Sequence, residues 1–172
     1  MRKRIAMPIL AGALLALAPI GNDQRGTTVG VLRGYLDKMG MKYVPHPKSS
    51  NALVVTRSDN DHADRVDLYI EVRGEDHTLV LMAYSKQPIG YFNMSRAADR
   101  EKTLQRLLDA NHRAFATFFV DNQGDIGARF TFTTENGVGF ESFRVAVMEL
   151  LRISDEYTPI LEGHMRKSET KN

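Results

Sequence analysis

Three features of the sequence predict an α+β domain, a mainly antiparallel sheet covered by packed helices. Apolar residues alternate with polar ones at Val66, Leu68, Ile70 and Val72, and again at Ile126, Ala128, Phe130 and Phe132. That period of two belongs to strands with one buried face. Other segments repeat their apolar residues at i, i+3, i+4 and i+7, the spacing of one helix face. Short turns join neighbouring strands, which favours antiparallel pairing. The expected order is α-β-β-β-α-β-β-α.

The elements follow one by one. Val29, Leu32, Tyr35, Leu36 and Met39 form the buried face of a first helix, capped by Thr27 or Thr28 and ended by Gly40. Lys42-Tyr43-Val44 is a short extended piece, broken by Pro45-His46-Pro47. Leu53 to Thr56 is a strand, Ser58 to Arg65 a loop, and Val66 to Val72 the next strand. Thr78 to Tyr84 is more evenly apolar and so central in the sheet. A second helix starts at Arg96 or Asp99 and runs to Ala110, with Leu104, Leu107 and Leu108 as its apolar stripe. Phe115 to Val120 and Ile126 to Thr133 pair as a hairpin about the turn Asp121-Asn122-Gln123-Gly124-Asp125. Phe140, Phe143, Val147, Leu150 and Leu151 face inward from a last helix.

The N-terminus is a different kind of sequence. Arg2-Lys3-Arg4 precedes an apolar run from Ile5 to Ile20, interrupted only by Pro8, Gly12 and Pro19. This is the layout of a secretory signal, with cations retained on the cytoplasmic side. Residues 1–21 are expected to be a signal peptide or an N-terminal membrane anchor. Ala16-Leu17-Ala18 has the small-x-small pattern for cleavage, but Pro19 follows it directly. Residues 22–26 read as a linker, 27–163 as a single domain, and 164–172 as a flexible charged tail. The expected address is periplasmic or otherwise exported. Inner-membrane anchoring is the alternative, or the cytoplasm if the segment is no signal.

Charge and composition narrow the function. The 172-residue chain has a formal net charge of +2, but three of its 23 basic residues and none of its 21 acidic ones lie in 1–21. The body is therefore net −1, without the basic patch that nucleic-acid binding needs. Arg96, Arg100, Lys102 and Arg106 are interleaved with Asp99 and Glu101, a solvated helix face. The hairpin aromatics Phe118, Phe119, Phe130 and Phe132 are assigned to core packing. With no Cys there is no disulfide, thiolate metal site, Cys nucleophile or lipidated Cys.

No catalytic constellation stands out. The chain lacks G-x-S-x-G and H-E-x-x-H, and its five His (46, 62, 77, 112, 164) have no chelating spacing. Gly137-Val138-Gly139 lacks the third glycine of a dinucleotide fingerprint. Asn93-Met94-Ser95 is a formal glycosylation sequon in a short polar segment. Asp59-Asn60-Asp61-His62-Ala63-Asp64 packs three carboxylates into a short loop. It fails as an EF-hand, since Asp64 replaces the sixth-position Gly and Ile70 the final Glu. A weaker divalent-cation or small-molecule site at Asp59–Asp64 stays open as the alternative function.

The C-terminal half carries Leu107-Leu108-Asp109-Ala110-Asn111, Phe118-Phe119-Val120-Asp121, Gly124-Asp125-Ile126, Gly137-Val138 and Glu141-Ser142-Phe143. In these residues it resembles the YbjN-like family. The resemblance is clearest over residues 99–163. It implies an α/β sandwich like that of type III secretion chaperones, folds that bind proteins and often dimerise. Members of the family are usually labelled sensory transduction or stress regulators, and the family supplies no catalytic residues or cofactor. The expected function is thus a non-enzymatic, exported protein-interaction module, chaperone-like or regulatory. Its partner is a protein, a homodimer is one arrangement, and membrane contact occurs only through residues 1–21. Binding residues are left unassigned.

Overall fold

A computed structural model describes residues 26–75, 77–111 and 115–166. The expected signal or anchor, most of the linker and the tail beyond Arg166 lie outside these residues. Among the described residues no helix is long and apolar enough to cross a membrane.

The architecture is α+β, as the sequence predicts. The sheet contains β1 (Tyr43–Pro45), β2 (Ala52–Arg57), β3 (Arg65–Arg73), β4 (Thr78–Gln87), β5 (Gly90–Tyr91), β6 (Thr117–Val120) and β7 (Ile126–Thr133). Its path is β1-β2-β3-β4-β7-β6, with β5 as a short flap on β4, and each pairing is antiparallel. The helices are α1 (Val29–Lys38), α2 (Arg100–Asn111), α3 (Phe140–Glu156) and α4 (Thr158–His164). β4 pairs with both β3 and β7 over most of its length, which places it at the centre of the sheet.

Register divides the sheet into two faces. Opposite residues in an antiparallel pair share a face. Leu68 pairs with Ala83, Ala83 with Ala128, and Ala128 with Phe118, so one inner face runs from β3 to β6. Leu53, Val66, Ile70, Leu79 and Leu81 bury their side chains on that face. α3 lies across β3, β4 and β7, with Phe143, Val147, Leu150 and Leu151 pointing into the core. α1 packs beside it through Leu32 and Leu36. Thr28 caps α1 by accepting Val31 N–H at 3.3 Å. Tyr35 Oη donates to the Val138 carbonyl at 3.0 Å, tying α1 to the start of α3.

The structure differs from the sequence expectation at four places. α2 turns Thr103, Leu107 and Ala110 inward, while Leu104 and Leu108 are 45% and 57% exposed. The helix is seated on β6 and α4. β6 begins at Thr117, not Phe115, and Phe119 points to the outer face instead of the core. The last helical stretch is two helices, divided at Tyr157, with Pro159 in the first turn of α4 where its missing N–H costs nothing. The beginning of the charged tail is tied down: Met165 forms a bridge with Ala97, and Arg166 N–H donates to Arg96 O at 2.8 Å.

Candidate functional site: an uncovered tyrosine and aspartate face

Among the described residues no helix packs on the outer face of the sheet. Its central positions are Asp67 opposite Tyr84 and Tyr69 opposite Met82 on β3 and β4, with Arg129 opposite Met82 on β7. A solvated face ordinarily carries charged and small polar residues. Here it carries rings. Tyr69 and Tyr84 meet edge to face at 5.7 Å, Tyr84 and Tyr91 lie 5.6 Å apart, and Phe119 meets Tyr84 edge to face at 5.6 Å. His46 closes the far end against Tyr69 at 5.8 Å.

Tyr91 reaches this cluster because of β5. The Lys86–Gln87 end of β4 pairs with Gly90–Tyr91, and Gly90 has a φ of +112°, which favours glycine. The tyrosine hydroxyls then find carboxylates. Tyr91 Oη donates to Asp67, whose carboxylate also accepts from Thr56 Oγ1 at 2.8 Å and Arg65 Nη2 at 2.7 Å. Asp67 is only 3% exposed, so a buried charge is matched here by a cation and two hydroxyls. Tyr84 Oη donates to Asp121 Oδ2 at 3.3 Å. Burial, and next the Asp121 charge, push the Tyr84 hydroxyl up from its ordinary pKa. Burial, followed by the hydrogen bond to Asp67, does the same for Tyr91. Both therefore stay protonated donors at physiological pH.

The 121–125 turn forms the other wall. Asp121 Oδ1 accepts Gln123 N–H at 2.8 Å and Asp125 N–H at 2.9 Å, and Gly124 takes a φ of +84°. Asn93 latches this turn to the chain after β5. Its amide donates to Gln123 O at 2.9 Å and Asp125 Oδ1 at 2.7 Å. The sequon asparagine is thus occupied in a tertiary latch rather than lying on a free polar segment. Between turn and tyrosines lies a cleft of about 180 Å³, lined by Tyr69, Met82, Tyr84, Tyr91 and the acids Asp121 and Asp125.

Gly127 keeps the aromatic rings in place. A Cβ there would lie 3.0 Å from the Ala83 carbonyl oxygen, from a Phe119 ring carbon and from a Tyr84 ring carbon. None of these is the free end of a flexible chain. Gly127→Ala is expected to lower stability by about 2 kcal/mol through overpacking and to perturb the near-UV tyrosine signal. A urea titration showing a loss below about 0.5 kcal/mol would contradict this packing.

The Asp59–Asp64 loop has a different role from the one the alternative function requires. Asp61, His62 and Ala63 direct their backbone N–H groups at the carboxylate of Asp155, at 2.9, 2.9 and 2.7 Å. Asp59 pairs with Arg57 at 3.1 Å. The loop is organised as an anion nest for a residue of α3. Among the described residues no group of three or more His, Asp or Glu side chains converges on a common point. The cation reading of this loop therefore gains no ligand set.

Fold and site together define a class, a helix-backed antiparallel sheet of the type III secretion chaperone-like kind with one face uncovered by the described helices. A family model described as "putative bacterial sensory transduction regulator" matches residues 29–162, and the chain belongs to this YbjN family. Solved structures agree on the fold. YbjN from E. coli, described as "a putative transcription regulator", is 20% identical with a TM-score of 0.57, over 81% of this chain and 95% of that one. A chain of the HopA1–SchA chaperone–effector complex gives 13% identity and a TM-score of 0.53, over 76% and 91%. A chain of the ExsC–ExsE complex gives 14% and 0.50, over 79% and 96%. No curated protein sequence matches the chain.

Proposed function

We propose that this chain is an exported, non-enzymatic protein-interaction module, chaperone-like or regulatory, that engages a partner protein across the outer face of its sheet. The observation that carries this reading is the face itself. Tyr69, Tyr91 and Phe119, each partly exposed, close around the buried Tyr84 in an aromatic cluster that no helix among the described residues covers. Rigid aromatic area beside a polar rim is the composition of binding hot spots. The chaperone–effector neighbour supports it, since a similar fold there serves an assembly of proteins. The raised tyrosine pKa values support a binding role over acid–base chemistry at pH 7.

Export rests on the basic-then-apolar layout of residues 1–21. A second copy of the chain is assigned to the outward side of α2, where Leu104 and Leu108 stand one turn apart and exposed.

Photo-crosslinkers placed in the full-length chain in cells test the outer face and the second copy, and fractionation tests export. A crosslinker at Thr131 on the outer face should yield a heterologous adduct, one at Leu108 a self-adduct, and one at Glu141 neither. Adducts of equal yield at Thr131 and Glu141 would remove the outer face as the interaction surface. Fractionation with N-terminal sequencing is expected to recover the chain outside the cytoplasm, beginning at Pro19 if cleaved. Intact soluble chain in the cytoplasm alone would remove export.

A further inference from the structure

We infer that the cleft between the tyrosines and the 121–125 turn receives the guanidinium of an arginine side chain carried by a partner polypeptide. The inference rests on the protein-interaction reading and names the chemistry of that site. Charge complementarity is its first support. Among the described residues neither Asp121 nor Asp125 forms an ion pair, whereas Asp67, deeper in the same face, is matched by Arg65. The mouth of the cleft is therefore anionic, with aromatic walls.

Ring faces and carboxylates together suit a planar cation. Arginine stacks on aromatic faces and forks to carboxylate oxygens, and its weak hydration lowers the cost of entry. The face already demonstrates this chemistry at its margins. The Arg129 guanidinium lies over Phe119 at 5.6 Å from the ring centre, and Lys86 over Tyr91 at 5.9 Å. Tyr69 and Tyr84, between these margins, hold no such cation among the described residues. A cleft of about 180 Å³ accommodates the end of one side chain. Asp121 Oδ1 accepts two backbone N–H groups, Asp121 Oδ2 the Tyr84 hydroxyl and Asp125 Oδ1 the Asn93 amide, so among the described residues Asp125 Oδ2 is the carboxylate oxygen left as acceptor for the guest, beside the negative charge of Asp121.

The test uses the full chain and acetyl-Gly-Arg-Gly-amide as probe, followed by calorimetry and amide chemical shifts at low salt. The citrulline peptide is the neutral isostere, and guanidinium ion is the free-cation control. The arginine peptide is expected to bind at least about tenfold tighter than the citrulline peptide and to shift amides in 121–125. Asp121→Asn with Asp125→Asn keeps the oxygens that hold the turn and removes both charges; it should weaken binding about tenfold. Tyr69→Leu, which leaves the turn untouched, should weaken it as well and covers the case in which the double variant misfolds.

Equal binding of arginine and citrulline peptides, no binding to the wild type, or binding unchanged in both variants would overturn the inference. Guanidinium ion matching the peptide's affinity would overturn its assignment to a polypeptide. Failure here is separable from failure of the interaction reading. A Thr131 adduct that persists in the double variant removes the arginine cleft alone. Peptide binding without any Thr131 adduct removes the interaction reading alone.

Discussion

Replacing Phe143 by Ala is expected to destabilise the domain by about 4 kcal/mol. The ring is fully buried in the first turns of α3 and lies 5.6 Å from the ring of Tyr35 on α1. Phe140 contacts the same tyrosine edge to face at 5.4 Å. α1 touches the rest of the chain mainly through this aromatic junction, through Leu32 and Leu36, and through Thr27 and Tyr35, which bond to Val138. A void at Phe143 therefore loosens α1 first. Urea unfolding should show the loss in midpoint, and native-state hydrogen exchange should show α1 amides exchanging before those of β3 and β4. Phe143→Leu, which keeps most of the volume, should cost about 1.5 kcal/mol or less. A loss under about 2 kcal/mol for the alanine variant, with α1 as protected as the central strands, would mean that this junction does not hold the helix.

The sheet is legible in the sequence because its inner face obeys period two. Val66, Leu68 and Ile70, and later Ile126 and Ala128, are buried where the alternation puts them. α1 and α3 are legible for the matching reason at helical spacing: Leu32 and Leu36, and Phe143, Val147 and Leu150, face one core. α2 is the instructive failure. Hydrophobicity selects Leu104, Leu107 and Leu108, but the buried row is Thr103, Leu107 and Ala110, also at i, i+4 and i+7. Thr103 can be buried because its hydroxyl donates to Asp99 O at 2.7 Å, a local solution that an apolarity scale ignores.

The candidate site was not legible as a motif, for a topological reason. Tyr69, Tyr84, Tyr91, Asp121 and Asp125 come from β3, β4, β5 and the turn before β7, and only the register of the β3–β4, β4–β5 and β4–β7 pairings unites them. One signal was present in the residues. Tyr69, Met82 and Tyr84 occupy outward positions of adjacent strands, where a merely solvated face has no use for large side chains. Asn93 gave no such signal. Its role depends on a turn 30 residues away in the chain.

Asp155 shows what a local reading of charge leaves out, and its removal is the second large expected effect. The carboxylate lies in the last turn of α3, the end of a helix dipole that disfavours an anion. Burial also opposes its ionisation, and is the largest single influence on it. The three backbone N–H groups of Asp61, His62 and Ala63 outweigh both and hold its pKa below the usual carboxylate value. Asp155→Ala leaves these donors without their acceptor and detaches the loop from α3. We expect a loss of about 3 kcal/mol at pH 7, with Asp155→Asn losing about 2 because its amide brings a donor where an acceptor is needed. The sign of the pH dependence follows from the depressed pKa. The contribution is fully present above the unfolded value of about 4 and is lost as pH falls through the folded one. The stability gap between wild type and Asp155→Asn should therefore be constant from pH 7 to about 5 and narrow below about 4. A gap that stayed level or widened down to pH 3 would show that this carboxylate is not what pins the acidic loop, and the anion-nest account of residues 61–63 would fall with it.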